Sequence, residues 1–230
     1  ELLFKIKMNQ LEIACFNLES AVIAQENEAD RVELCAEMEV GGTTPDFEIT
    51  KQVRELLTID LNVMIRPRGG NFVYSEAEFQ QMKNKILQFK EIGVNGFVFG
   101  ILNENNSIHT AQNTELVNLA KPFPCTFHRA FDDVFDAFES LEDVIACGFQ
   151  TILTSGQKPN VVEGVNRLAE LVSKANNRIV IMPGGGLRST NIEQIQEKTG
   201  ATFYHSSAIT DGSETANAEE VNKLKSKLNV

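Results

Sequence analysis

Eight short β-rich runs with helical stretches between them predict an α/β protein, a single-domain (β/α)8 barrel of the TIM type. Three observations carry this prediction. Strand and helix alternate from end to end. The length, 230 residues, fits the roughly 200–400 residues of that fold. Polar side chains recur at the strand ends, where such a barrel builds its site. The alternative is a doubly wound open sheet, which would typically carry a GxGxxG after its first strand. Phe16-Asn17-Leu18-Glu19 is unlike that motif.

The strand candidates are Leu11–Phe16, Arg31–Cys35, Leu61–Arg66, Gly96–Gly100, Phe123–His128, Thr151–Thr154, Ile179–Met182 and Thr202–His205. The segments between them read as helices. Ser75–Ile92 opens on Ser75 and Glu78, a capping-box pattern, and stops at Gly93. Asp133–Cys147 stops at Gly148; Asn160–Ala175 and Ser189–Lys198 follow, the latter stopping at Gly200. The last candidate, Ala218–Leu228, is short and highly charged, which suits a lid, a subunit contact or a loosely held terminus. No Pro/Ser-rich linker or change of composition divides the chain, so one domain is expected over 8–230. Met8 suits a natural start, with 1–7 an N-terminal extension.

Lys and Arg number 21 against 32 Asp and Glu, a net charge of −11. That excess argues against nucleic acid and against an anionic membrane surface. No apolar run approaches the roughly 18–20 residues of a membrane span. Cys15, Cys35, Cys125 and Cys147 are scattered, without a CxxC. A reduced thiol set in the cytoplasm is the simplest expectation.

The segment Met64-Ile65-Arg66-Pro67-Arg68-Gly69-Gly70 is the most informative. Positions two apart share a strand face, so Arg66 and Arg68 are expected to point together and hold an anion. Other strands supply Glu12, then Arg31, Glu33 and Cys35 on one face, then His128, Arg129 and Asp132. Ser155 and Gly156 follow strand 6, Gly184, Gly185 and Gly186 follow strand 7, and His205 with Ser206 ends strand 8. Loops after the last strands of a barrel often bind phosphate, so these serines and glycines join Arg31, Arg66 and Arg68 as an anion-binding set. The same glycines also suit plain tight turns. Glu12, Arg31 and Glu33 fit either chemistry or an ion-pair layer inside the barrel. Arg129 reads as a surface or loop-pairing residue, and His109, among asparagines, as solvated.

Taken together, the runs Ala29–Cys35, Gly41–Pro45, Met64–Ser75, Thr126–Asp132, Ile152–Gly156, Ile181–Gly186 and His205–Ala208 resemble the CutC copper homeostasis family over about residues 10–210. The resemblance implies a TIM-type barrel, a homodimer or higher homo-oligomer, and a cytoplasmic role linked to copper, with Cu(I) bound through cysteine. Relatives often have cysteine where Ala14 stands, on the face of Glu12; Cys15 points the other way and would replace that thiol only through a bulge. Cys35 is therefore the candidate copper ligand, with His128 or His205 as supplements. The other reading is an enzyme acting on a phosphorylated or carboxylated metabolite. In it Arg66 and Arg68 hold the anion, and Glu12, Glu33, His128 and His205 are the candidate acids and bases, with Asp132 orienting His128. No lysine ends a strand, which disfavours Schiff-base chemistry.

Overall fold

Strand and helix alternate in the predicted order in the computed structural model, which describes residues 9–228. The expected extension at 1–7 lies outside the described residues. The elements are β1 (Gln10–Cys15), α1 (Leu18–Glu26), β2 (Arg31–Leu34), α2 (Phe47–Leu56), β3 (Asp60–Met64) and α3 (Glu76–Glu91), then β4 (Gly96–Phe99), α4 (Thr110–Ala120), β5 (Cys125–Phe127), α5 (Ala137–Cys147), β6 (Thr151–Thr154) and α6 (Val165–Ala175), and finally β7 (Val180–Pro183), α7 (Ile192–Thr199), β8 (Phe203–Ser206) and α8 (Ala218–Leu228). All strand pairs are parallel, in the order β7-β6-β5-β4-β3-β2-β1-β8. β7 packs against β8 and brings the sheet round to a barrel. Among the described residues no helix is long and apolar enough to cross a membrane.

Strand alternation sorts side chains between two interiors. Leu11, Ile13, Val32, Leu34, Leu61, Val63, Phe97 and Phe99 face outward into the main core beneath the helices. The alternate positions point into the barrel, where Leu153, Met182 and Phe203 form one apolar cluster and Cys35, Met64 and Val98 another. Between them lies a buried polar layer. The register explains it: Glu12 lies opposite Arg31 of β2 on one side and His205 of β8 on the other.

Space inside the barrel is tight. A Cβ on Gly96 would stand 2.4 Å from Asn62 Oδ1 and 3.0 Å from the Pro124 carbonyl oxygen. Gly96→Ala is therefore expected to cost about 1–3 kcal/mol through overpacking, read as a lower urea midpoint at unchanged slope. An unchanged midpoint would show that Asn62 can move aside freely.

The observed boundaries differ from expectation where the chain lacks a donor or finds a cap. β3 ends at Met64 because Pro67 has no N–H to continue the ladder. The Ser75–Glu78 capping box is present and α3 follows it. α5 starts late because Arg129–Asp133 is a 3-10 turn, after which Asp136 caps the helix. α8 is neither lid nor loose end. It packs on β1, α1 and α7 with Val221, Leu224 and Leu228 buried, Lys225 Nζ lies 2.6 Å from Asp30 Oδ2, and Glu220 accepts hydrogen bonds from Ser189 N–H and O–H. It is the eighth barrel helix.

Candidate functional site

A cavity of about 240 Å3 opens among the strand ends and the loops that follow them, lined in part by Glu33, Cys35, Arg66, His128, Arg129 and His205. Gly185, Gly186, Arg188, Ser206, Ser207 and Phe72 complete much of its rim.

Its floor is a chain of buried ionisable groups. The Arg31 guanidinium bonds to Glu12 Oε2 and lies over the Phe203 ring at 4.1 Å. The other oxygen of Glu12 lies 2.7 Å from His205 Nδ1, and His205 Nε2 lies 3.8 Å from Glu33 Oε2. Cys35 donates its S–H to that same Glu33 oxygen at 3.5 Å. The two carboxyls are pushed apart. Burial alone would raise Glu12, but Arg31 and His205 outweigh it and hold its pKa near 2. Burial raises Glu33 to about 7, opposed by His205 and more weakly by Arg31, and aided by the Glu12 charge. Burial works against protonation of His205, yet Glu33 and Glu12 raise its pKa above the ordinary imidazole value. Two carboxyls of opposite tendency joined by a histidine form an acid–base array.

The opposite wall carries a different histidine. His128 packs against Phe72 with 4.9 Å between centroids. Its Nδ1 accepts the Ala130 N–H at 3.3 Å. An N–H can only donate, so Nδ1 bears the lone pair and the neutral ring carries its proton on Nε2. Burial and the nearby Arg66 charge lower this pKa to about 3, so the ring is a neutral donor at pH 7.

Arg66 is held by the carbonyls of Val40, Gly42 and Gly70 at 2.8–3.0 Å and lies over Phe72 at 4.8 Å. Arg68 does not join it. Beyond the end of β3 the strand alternation no longer applies, and Arg68 turns outward to Glu78, 2.6 Å away, and to the Val73 carbonyl. Asp132 does not orient His128. It accepts from Thr154 Oγ1 and from the N–H groups of Ser155 and Gln157, and pairs with Arg129 at 2.8 Å. Asp132, Ser155 and Gly156 thus shape the loop after β6, and Ser155 Oγ accepts from Arg129 at 3.0 Å. The glycines after β7 are explained by close approach. A Cβ on Gly184 would lie 2.4 Å from Leu153 and 3.1 Å from His205, and one on Gly185 would lie 3.0 Å from the Arg129 guanidinium.

Arg129 and Arg188 are cavity residues that sequence reasoning did not assign to the site. Arg188 donates to Ser206 Oγ and the carbonyls of Leu187 and Ile209. The signal for it was its place directly behind the triple glycine. His109 caps α4 through its Nδ1, away from the cavity.

Glu12, Glu33 and His205 present three ligand atoms within 4.8 Å of one another. Both Glu12 oxygens are already engaged and Arg31 adds a positive charge beside them, so the cluster suits holding protons better than a cation. Cys15 cannot pair with Cys35 as a second cavity thiol: it faces the outer core and donates to the Ile13 carbonyl. Burial and the Glu33 charge raise the Cys35 pKa well above that of an ordinary thiol.

The model of the CutC family matches residues 9–210. A family protein CutC from Parabacteroides distasonis is 46% identical over 199 residues, 86% of this chain and 82% of that protein. The human copper homeostasis protein cutC homolog is 42% identical over 198 residues, 86% of this chain and 72% of that protein. The crystal structure of the putative copper homeostasis protein CutC from Streptococcus agalactiae superposes with a TM-score of 0.84 at 37% identity, covering 88% of this chain and all of that one. Phosphoribosylanthranilate isomerase from Thermotoga maritima superposes at 0.64 with 13% identity, covering 96% and 98%. At that identity the likeness concerns the barrel alone.

Proposed function

The chain belongs to the CutC family, and from that premise we propose that it serves copper homeostasis through an acid–base site for a phosphorylated or carboxylated small molecule at the barrel mouth. One observation carries this reading. Glu33 Oε1, Arg66 Nε and His128 Nε2 are buried with no hydrogen-bond partner among the described residues, and all three side chains line one cavity. A buried polar atom left unpaired costs about 1–3 kcal/mol. A polar ligand in the cavity would recover that cost. Arg66, Arg129 and Arg188 give the cavity a positive rim in a chain of net charge −11, and arginine matches carboxylate and phosphate geometry. In this reading Glu33 is the base, His205 its proton partner, and His128 a neutral donor. Glu12 and Arg31 hold His205 in place. Asp132, Ser155 and Gly156 set the loops around Arg129, Gly184 lets the chain after β7 pass close to His205, and Gly185, Gly186 and Ser206 line the anion end. Arg68 stiffens the loop behind Arg66.

A second reading has its own observation. The sulfurs of Cys35, Met38 and Met64 belong to residues of this cavity, and soft donors suit Cu(I). Copper would then be cargo, with Cys35 the ligand. Its thiol stays protonated at pH 7, which weakens the case. All four cysteines are free and buried, which supports the cytoplasm as the compartment.

Thermal-shift titration with inorganic phosphate and citrate tests the first reading. At 100 times the dissociation constant, binding adds about 2.7 kcal/mol, roughly 5–10 °C for a chain of this size. Arg129→Gln, on the half-exposed rim, is expected to lose most of the shift. A Tm indifferent to both anions would overturn the reading.

A further inference from the structure

Resting on the acid–base reading, the geometry points to a reaction class. We propose that the cavity enolises a small α-hydroxycarbonyl compound carrying a phosphate or carboxylate, with Glu33 removing the proton beside the carbonyl and His128 polarising the carbonyl oxygen. The two histidines are not equivalent. His205 is fixed at Nδ1 by Glu12 and approaches Glu33 through Nε2, so it belongs to the proton-carrying wall. His128 is fixed at Nδ1 by a backbone N–H, leaving Nε2–H as a donor without an acceptor. A neutral N–H aimed at a carbonyl stabilises the negative oxygen formed when the neighbouring carbon loses a proton, and it keeps its own proton.

Glu33 supplies the complementary group. One of its oxygens takes the Cys35 S–H, and the other has no partner. That second oxygen is free to accept a proton. Other chemistries fit the cavity less well. No lysine lines it, so an iminium route to the same carbanion is absent. Cys35 is committed to Glu33 and is no ready nucleophile. Arg66, Arg129 and Arg188 are placed to hold the anionic end of the substrate.

The C–H bond breaks and its proton passes to Glu33 Oε1. The C–H electron pair becomes the C=C bond, and the carbonyl π pair moves to oxygen, where His128 Nε2–H donates to it. Return of the proton to the same carbon regenerates substrate, and return to the former carbonyl carbon, after the hydroxyl proton has moved, gives the isomer. No oxidant or co-reactant is consumed.

Deuterium exchange tests this without knowledge of the product. Dihydroxyacetone phosphate and hydroxypyruvate are incubated separately with the protein in D2O, and the hydroxymethyl proton signal is followed by NMR; the two arms separate phosphate from carboxylate. Loss of signal at least tenfold faster than in protein-free buffer is expected with one of them. Glu33→Gln should return the rate to background, and His128→Gln should lower it at least tenfold while retaining the Tm shift given by the same compound. No exchange alongside a clear Tm shift overturns the enolisation and leaves the anion site standing. Neither exchange nor shift overturns both. Undiminished exchange in Glu33→Gln overturns the assignment of the base.

Discussion

Arg31→Leu is expected to destabilise the protein by about 3–5 kcal/mol at pH 8, the range for removing one partner of a buried ion pair. Arg31 is the cation that holds Glu12, which is wholly buried. Leucine would fit beside Phe203 and Met182 but would leave Glu12 with His205 alone and forfeit the stacking on Phe203. The loss should depend on pH with a definite sign. The Glu12 pKa is depressed from 4.5 to about 2. The stability it contributes is therefore present above pH 4.5 and lost as pH falls through 2. The gap between the variant and the parent should be full at pH 8 and narrower at pH 3.5. Urea unfolding at both values checks this. A loss under about 1 kcal/mol at pH 8, below the range for a broken buried pair, would mean that Arg31 is bystander packing.

Glu33→Gln should act the other way, and this is the second large effect. The Glu33 pKa is raised from 4.5 to about 7. The fold therefore favours its protonated form: its contribution is present below pH 4.5 and lost as pH rises through 7. The difference between those values caps the effect at about 3 kcal/mol. The glutamine amide brings donors that need partners, so the variant should exceed the parent by about 1–3 kcal/mol at pH 8, with the advantage fading by pH 5. The same change should abolish any reaction at the cavity. Gained stability with lost function is the signature of a strained functional group. A variant less stable than the parent at pH 8 would make Glu33 a structural residue.

Much of this was legible in the sequence, for identifiable reasons. Strand parity puts Glu12, Arg31, Glu33 and Cys35 inside the barrel, because a period of two is insensitive to errors of a residue at strand ends. His128 and His205 follow from their positions closing apolar strands. Parity failed at Arg68, where Pro67 had already ended the ladder and Glu78 of α3 offered a partner. Arg129 and Arg188 were missed because neither lies on a strand. Arg129 is placed by Asp132 within its own 3-10 turn and by Ser155 from the next strand end, and Arg188 by Ser206 and the Ile209 carbonyl; apart from Asp132, these partners lie far away in sequence. The tautomer of His128 rests on one backbone N–H in a 3-10 turn, a turn that the sequence pattern between strand 5 and the helix expected from Asp133 did not reveal. Two of the roles expected of α8, a lid and a loosely held terminus, fail because its charged residues hide a buried stripe of Val221, Leu224 and Leu228.

An anion with acid–base chemistry and a copper ion on sulfur are the two occupants proposed for the barrel mouth, the anion first. Crystals soaked anaerobically in phosphate and Cu(I), with anomalous data collected at the copper edge, distinguish them most directly. Tetrahedral density without copper signal is expected among Arg66, Arg129 and Arg188. A copper peak on Cys35 Sγ, with no anion beside the arginines, would contradict the anion reading.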